Sequence, residues 1–352
     1  MSNVHEVFAA LKEYLINNIS HAKSTLGGKQ VAMRCHICGD SMNQSSRHLY
    51  VGIMPNADVI VYHCFRCNAS GMVTGRFLRD VDIYDIDMAQ ALNEVNKRSA
   101  VYSYNTNIRR MLKSYTPIIW AERNPQNDAK LAYIERRIGP GIGYDNLAQY
   151  KIIPDLKTYM NDNSIRWNPD WGPIHALNDF FIGFLSSDNS YVTLRNLVYD
   201  KGKSVGYPEL DKRHYVYNLY NRVENAGKYY VIPGSVDPAK RIEVHMAEGA
   251  LDILSVKKNL IPDRPNTFMC SVQGKSYVPA FRYMLERFGF IDMEFHLYPD
   301  GDMKQWELGK CIKLLKGLPM PIYLHRNQGE KDFGVPPDRI HEMIDVVRRV
   351  PY

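Results

Sequence analysis

The chain has 352 residues, 45% of them hydrophobic, with a formal net charge of +6. That length and apolar content exclude a disordered or fibrous chain and leave room for more than one core. No apolar run reaches membrane-spanning length and residues 1–10 lack a basic-then-apolar leader, so a soluble cytoplasmic protein is expected, with no membrane partner.

In chain order, Val7, Phe8, Leu11, Tyr14, Leu15 and Ile19 recur at helical spacing, so an amphipathic helix is expected over 4–20. Gly27-Gly28 breaks it before Cys35-His36-Ile37-Cys38. Residues 48–53 and 59–63 alternate as two strands around the Pro55-Asn56-Ala57-Asp58 turn, and Cys64-Phe65-Arg66-Cys67 follows. A helix is expected around Met88–Val95. The polar, weakly patterned residues 99–116 read as an interdomain linker. The expected organisation is therefore a zinc-binding module over 1–98, that linker, a first subdomain over 117–240, an α/β subdomain over 241–335 and a helical tail over 336–352. Within 117–240 a helix is expected over 128–138. From 241 on, strands at 241–247, 267–272, 294–298 and 321–325 alternate with helices at 250–259, 279–288 and 304–316, the pattern of a parallel α/β sheet.

The paired cysteines predict a structural zinc. Zn²⁺ takes four thiolates in a tetrahedron, and each Cys-x-x-Cys turn supplies two of them, here Cys35 with Cys38 and Cys64 with Cys67. The long spacing between the pairs is accounted for by the hairpin. Such a zinc does no chemistry but holds a small β-ribbon. On the ribbon Arg47, His48, Tyr50, Tyr62, Phe65 and Arg66 offer cations and aromatic faces to a single nucleic-acid strand. Taken singly, each is equally well read as a solvated charge or a packed ring. Cys270 and Cys311 fall outside the pairs and read as ordinary buried thiols.

The carboxylates predict a second chemistry. Glu248 follows the strand ending at 247, and Asp252 lies one helical turn further on. Asp300 and Asp302 follow the strand ending at 298, alternate residues of one segment facing one side. Carboxyl ends of parallel strands are where ligands bind in open α/β sheets. Hard cations such as Mg²⁺ share carboxylates with substrate phosphates, so Glu248, Asp300, Asp302 and Asp332 are expected to hold Mg²⁺ or Mn²⁺ for phosphoryl chemistry, with Asp252 supporting.

These residues resemble the Toprim signature, and Met246–Asp252 looks like the glutamate motif of DnaG-type DNA primases. Ser271-Val272-Gln273-Gly274 resembles the glycine turn between its acidic motifs, and Lys331-Asp332 the late Lys-Asp motif. Tyr133-Ile134-Glu135-Arg136-Arg137-Ile138 is similar to a segment of the primase polymerase domain, which implies a template or nucleotide contact for Arg137. The segments 181–184 and 193–196 resemble strands carrying a basic groove residue, implying Arg195; the segment 212–215 implies Lys212 or Arg213, and Lys228 is a further candidate. Cys-Phe-x-Cys resembles the second knuckle of that family's zinc domain. The resemblance spans residues 30–335 in the family's order. It implies a compact, phage-like primase that synthesises short RNA primers from ribonucleoside triphosphates on single-stranded DNA, alongside a replicative helicase on a separate chain. Two alternatives are a Toprim nuclease, which would not need the basic region, and a non-catalytic DNA-binding recombination mediator resembling the RecR family, in which the four cysteines and the Toprim fold lie close together in a short chain.

Overall fold

The computed structural model describes residues 3–40, 43, 45–54, 58–67, 69–99, 107, 111, 115–222, 228–233, 237, 240–262, 264–274, 277–288, 293–303, 309 and 320–348. The chain divides into two units, one comprising Met1–Tyr115 with Asn221–Ala226, the other Thr116–Tyr220 with Gly227–Tyr352. Most of the expected 99–116 linker, the helix expected over 304–316 and the tip of the 55–58 turn lie outside the described residues.

The first unit opens with α1 (Val4–Asn18), which buries Val4, Val7, Phe8, Leu11 and Leu15 along one stripe. Asn3 caps it, its side chain accepting from the His5 N–H while Glu6 returns to the Asn3 N–H. Five antiparallel strands follow in sequence order: β1 (Lys23–Thr25), β2 (Gln30–Met33), β3 (Leu49–Ile53), β4 (Ile60–Cys64) and β5 (Ser70–Met72). Val31, Met33, Leu49, Val51 and Ile60 pack with α1, and with Phe77 and Leu78 of α2 (Gly75–Asp80) and Leu92 and Val95 of α3 (Ile86–Arg98). The expected hairpin is thus the centre of a wider sheet.

The second unit contains two sheets. Helix α4 (Pro125–Ile138) starts with Pro125 behind the Asn124 cap and ends where Gly139 turns to φ 83°, its N–H returning to the Glu135 carbonyl at 2.8 Å. The strands β6 (Ile152–Ile153), β7 (Phe181–Leu185), β8 (Tyr191–Asn196) and β9 (His214–Asn218) form an antiparallel meander. Its β7 is apolar on both faces: Ile182 and Phe184 join the core of α4, while Phe181 and Leu185 pack with α5 (Leu156–Asp162) and α6 (Pro173–Phe180).

The larger sheet has six strands, β10 (Tyr230–Pro233), β11 (Ile242–Ala247), β12 (Thr267–Ser271), β13 (Met293–Tyr298), β14 (Ile322–Asn327) and β15 (Glu342–Arg348), in the spatial order β10-β12-β11-β13-β14-β15. The four inner strands are mutually parallel and the two edges antiparallel. Helix α7 (Ala250–Ser255), continued by a π turn over Val256–Leu260, joins β11 to β12, and α8 (Tyr277–Phe288) leads from β12 to β13. Val244, Met246, Phe268, Phe295 and Leu297 pack under Ala280, Phe281 and Met284 of α8. Ala247, Met269 and Tyr298, on the other face, meet Leu251 and Leu254 of α7 and Ile134 of α4. The chain is therefore mixed α and β, with several sheets. The helical tail expected over 336–352 is corrected by β15: Ile344, Val346 and Val347 are β-branched, and pairing with β14 supplies the hydrogen bonds that a helix would otherwise make internally. No helix among the described residues is long and apolar enough to cross a membrane.

A cysteine cluster and a carboxylate edge

Each pair of cysteines sits at a turn of the first unit. Cys35 and Cys38 follow β2, while Cys64 ends β4 and Cys67 lies in the turn to β5. The second turn is shaped by the Cys64 N–H donating to the Ala69 carbonyl and the Phe65 N–H donating to that of His48, both at 2.8 Å. The first is shaped by Gly39 and Asp40 at positive φ and by Arg34 donating to the Gly39 and Asn43 carbonyls. Buried Asp40 also accepts from the His48 backbone N–H and ring. The four sulfurs converge: Cys35 Sγ is 3.8 Å from Cys67 Sγ and Cys38 Sγ is 4.0 Å from Cys64 Sγ. Disulfides would need about 2.05 Å, whereas sulfurs about 2.3 Å from a zinc ion stand about 3.8 Å apart in a tetrahedron. Sulfurs this close cannot all ionise against one another, and their shared protons and burial push the Cys35 thiol up. The cluster fits a metal ion such as zinc.

Around it, Phe65 is exposed and meets Tyr50 and His63 edge-on, with ring centroids at 5.3 and 4.6 Å. Arg66 lies half-buried in the second turn. Arg47 donates to the His21 and Ser45 carbonyls, which binds it to the surrounding loops. His36 and Tyr62 point to Phe77, a packing role rather than a surface one.

In the second unit the strand order reverses between β11 and β13, and the acidic residues gather there. Glu248 follows β11 and Asp300 follows β13, adjacent parallel strands paired at Ala247 and Tyr298. The Asp300 N–H donates to Glu248 Oε1 at 3.3 Å. Lys331 Nζ stands 2.7 Å from Asp302 Oδ2 and 3.8 Å from Asp300 Oδ2. Asp252 accepts from the Gly249 N–H at 2.9 Å, capping α7, and Asp332 accepts from the Gly334 N–H at 3.0 Å. Gly334 fills the space between them: a Cβ there would lie 2.5 Å from Asp252 Oδ1 and 3.2 Å from an Arg137 terminal nitrogen.

This crowding has an electrostatic cost. Asp252 is pushed up to about 7 by burial and then by the charges of Asp332 and Asp300. Asp300 is likewise pushed up to about 7, by burial and then by Glu248 and Asp332. Lys331, half-exposed at 50%, offsets part of this charge through its pairs with Asp302 and Asp300.

A basic track adjoins the carboxylates. Arg137, in the last turn of α4, donates through Nε to the Gly334 carbonyl at 3.0 Å and stands 3.7 Å from Asp332. The Tyr133 hydroxyl accepts from Arg137 at 3.5 Å and from Arg195 Nε at 3.0 Å. Arg195, buried on β8, also pairs with Asp200, which Arg213 meets at 3.2 Å. His214, at the exposed start of β9 and 3.3 Å from Arg195, is pushed down by partial desolvation of its ring and by the charges of Arg195 and Arg213, which favour the neutral ring. Tyr199, Asp200, Lys203 and Arg213 line an open cleft. Of the expected basic residues, Arg137, Arg195 and Arg213 thus share one network. Lys212 instead lies over the Tyr215 ring at 4.7 Å, and Lys228 lies against Tyr229 ahead of β10. Tyr133, Asp200, His214 and Gly334 complete the network without having been singled out for it; only Tyr133 and His214 fell inside segments marked by sequence.

Comparison of the chain with protein-family models, with curated proteins and with solved structures found no significant match.

Proposed function

We propose that this chain is a DNA primase of the DnaG type, synthesising short RNA primers on single-stranded DNA. The observation that carries the reading is the meeting of Glu248, Asp300 and Asp302 at the carboxyl ends of β11 and β13, beside the Arg137–Tyr133–Arg195 track. A parallel sheet whose order reverses between the two acid-bearing strands is the arrangement expected of a Toprim subdomain. Mg²⁺ or Mn²⁺, when bound by Glu248, Asp300, Asp302 and Asp332, supplies positive charge to the attacking 3′-hydroxyl and to the leaving pyrophosphate.

The chain's own groups do the rest. Lys331 pairs with Asp302 and Asp300 and so holds their carboxylates at the edge, where they would be the oxygens offered to a cation. Arg195 and Arg213 offer guanidinium groups to the triphosphate of the incoming ribonucleotide, with Asp200 keeping both in register. Neutral His214 adds a hydrogen-bonding group without further charge. Arg137, fixed by Tyr133 and the Gly334 carbonyl, holds the track against Asp332, so that rate comes from positioning and charge neutralisation. In the first unit four cysteines hold zinc in a zinc ribbon, and Tyr50, Phe65 and Arg66 offer stacking faces and charge to an unpaired template. A separate replicative helicase in the cytoplasm is the expected partner.

Incubating the purified chain with mixed-sequence single-stranded DNA, labelled ribonucleoside triphosphates and Mg²⁺ or Mn²⁺ tests this. Short RNA from the wild type and none from Asp300→Ala is the expected result. Metal-dependent cutting of the DNA without RNA would replace the primase by a nuclease built on the same carboxylates. DNA binding with neither product, even when a replicative helicase is added, would leave a non-catalytic mediator.

A further inference from the structure

A second cluster lies on the same sheet but away from the carboxylate edge, on the face that carries Ala247 and Tyr298. The motif Glu-x-His occurs twice, as Glu243-Val244-His245 on β11 and Glu294-Phe295-His296 on β13. These strands are parallel and in register, with Glu243 opposite Glu294 and His245 opposite His296. Residues two apart share a face of a strand, so two carboxylates and two imidazoles lie side by side on one face, Glu294 standing outside the tighter group of Glu243, His245 and His296. The rings of His245 and His296 stack with centroids 4.5 Å apart, and both histidines are buried.

The donor atoms are sorted in a telling way. His245 Nε2 faces Glu243 Oε2 at 3.2 Å, and His296 Nε2 faces Glu294 Oε1 at 3.1 Å. Each histidine's other nitrogen is engaged from behind. His245 Nδ1 is 3.0 Å from the Tyr298 hydroxyl, and His296 Nδ1 is 2.8 Å from His325 Nε2, whose Nδ1 is in turn 2.6 Å from Glu342. The carboxylates are divided likewise. Glu243 gives Oε1 to Arg264 at 2.9 Å and Glu294 gives Oε2 to Arg241 at 3.7 Å, each leaving its other oxygen toward a histidine.

We propose that Nε2 of His245 and His296, with Glu243 and Glu294, binds one first-row divalent transition ion of the zinc type. Two like carboxylates directly opposite on neighbouring strands repel; Arg264 and Arg241 meet one oxygen of each, and a cation at the oxygens turned to the histidines would offset the rest. Nitrogen and oxygen donors suit Zn²⁺ or Co²⁺ better than Mg²⁺. Histidine ligands whose far nitrogen is held by a hydroxyl or a His-Glu pair match the outer shell that orients and strengthens metal-binding imidazoles. Ligand atoms of Glu243, His245 and His296 already lie within 4.8 Å of one another. The ion would tie β11 to β13, the strands that lead into Glu248 and Asp300, and its role is structural. The proposal does not depend on the primase reading.

Metal content of the full chain tests it. After loading with zinc in excess Mg²⁺ and removing loose ions, the Asp300→Ala protein is counted, so that the carboxylate edge contributes none. Two zinc ions per chain are expected, falling to one in Asp300→Ala with His296→Gln added and to one with Glu294→Gln added. Cobalt loading identifies which ion is lost: sulfur-to-cobalt charge-transfer bands of the cysteine cluster should persist while the weaker d–d bands of a nitrogen-oxygen site disappear. One zinc per chain before any histidine or glutamate is changed overturns the proposal, and so does a second zinc that survives both changes. If His296→Gln fails to fold, as loss of protection from hydrogen exchange in the second unit would reveal, the Glu294→Gln count decides.

Discussion

The cysteine cluster and the carboxylate edge both crowd together groups that cannot all carry charge at once, and they resolve the conflict differently. The four sulfurs lie within 4.8 Å of one another, two of the distances being about a tetrahedral edge. At the edge, Lys331 and Arg137 supply positive charge, and the backbone N–H groups of Gly249, Asp300 and Gly334 satisfy oxygens. The contrast separates a cluster that fits a metal ion from an edge whose charge the chain's own cations and backbone N–H groups partly offset. Breaking each arrangement should therefore fail in different places.

The largest effect is expected from Cys64→Ser. Structural zinc in small modules contributes on the order of 10 kcal/mol of binding free energy, which three remaining thiolates cannot hold as tightly. Loss of bound zinc and rapid hydrogen exchange across residues 3–99 are expected, with residues 116–348 protected as before. Equal loosening of both units would erase the distinction.

The edge should respond to pH instead. Asp252 and Asp300 have folded values near 7, above the usual carboxylate range. A raised carboxyl contributes stability while protonated, fully present below its unfolded value and lost as pH rises through its folded one. Without divalent ions, stability of the second unit should therefore decline between about pH 4 and about pH 7, by on the order of a few kcal/mol. Mg²⁺ should oppose that decline, and its affinity should rise with pH over the same window because binding expels the protons. Denaturant melts at several pH values, with and without Mg²⁺, measure both; a melt that ignores Mg²⁺ at pH 8 would remove the edge as a cation site.

Gly334→Ala sharpens the geometry. Its Cβ would stand 2.5 Å from Asp252 Oδ1, so either the loop or the carboxylate must move. A cost of about 1–3 kcal/mol is expected from overpacking, and, if the chain is the proposed primase, a loss of about 100-fold in RNA synthesis from displaced groups. Wild-type rates in this variant would mean that the Asp252–Asp332–Arg137 contact is incidental.

What could be read ahead of the structure follows the same division. Groups brought together by one short segment were legible: each Cys-x-x-Cys, and the apolar strands at 242–247, 267–271, 293–298 and 322–327, whose burial inside a parallel sheet leaves nearly continuous hydrophobic runs. Edge elements were not. β1 and β15 carry exposed, polar-rich faces, and β10 is antiparallel where the alternation of strands and helices suggested only parallel neighbours. Contacts across long sequence separations were equally hidden. Arg137 and Gly334 are 197 residues apart, and neither residue type announces the other. Glu243 and Glu294 passed unnoticed because their meeting depends on strand register, which a shift of one residue would destroy.

The smallest effect should come from Tyr133→Phe, and it tests whether the basic track and the acidic edge act as one site. The hydroxyl accepts from Arg195 at 3.0 Å and from Arg137 at 3.5 Å, so it is the atom that joins them. Its removal leaves the ring in place and deprives two guanidinium groups of a neutral acceptor. Bonds to charged donors are worth about 1.5–3 kcal/mol, but both arginines keep other partners, Asp200 and the Gly334 carbonyl, so about 1 kcal/mol of stability should be lost. If the track positions the triphosphate against the carboxylates, synthesis should fall about tenfold, more through kcat than through KM, because Arg195 still binds while its alignment to the acidic edge is gone. A rise in KM alone would instead make the arginines a binding surface independent of the carboxylates, with Tyr133 serving only to keep Arg195 buried.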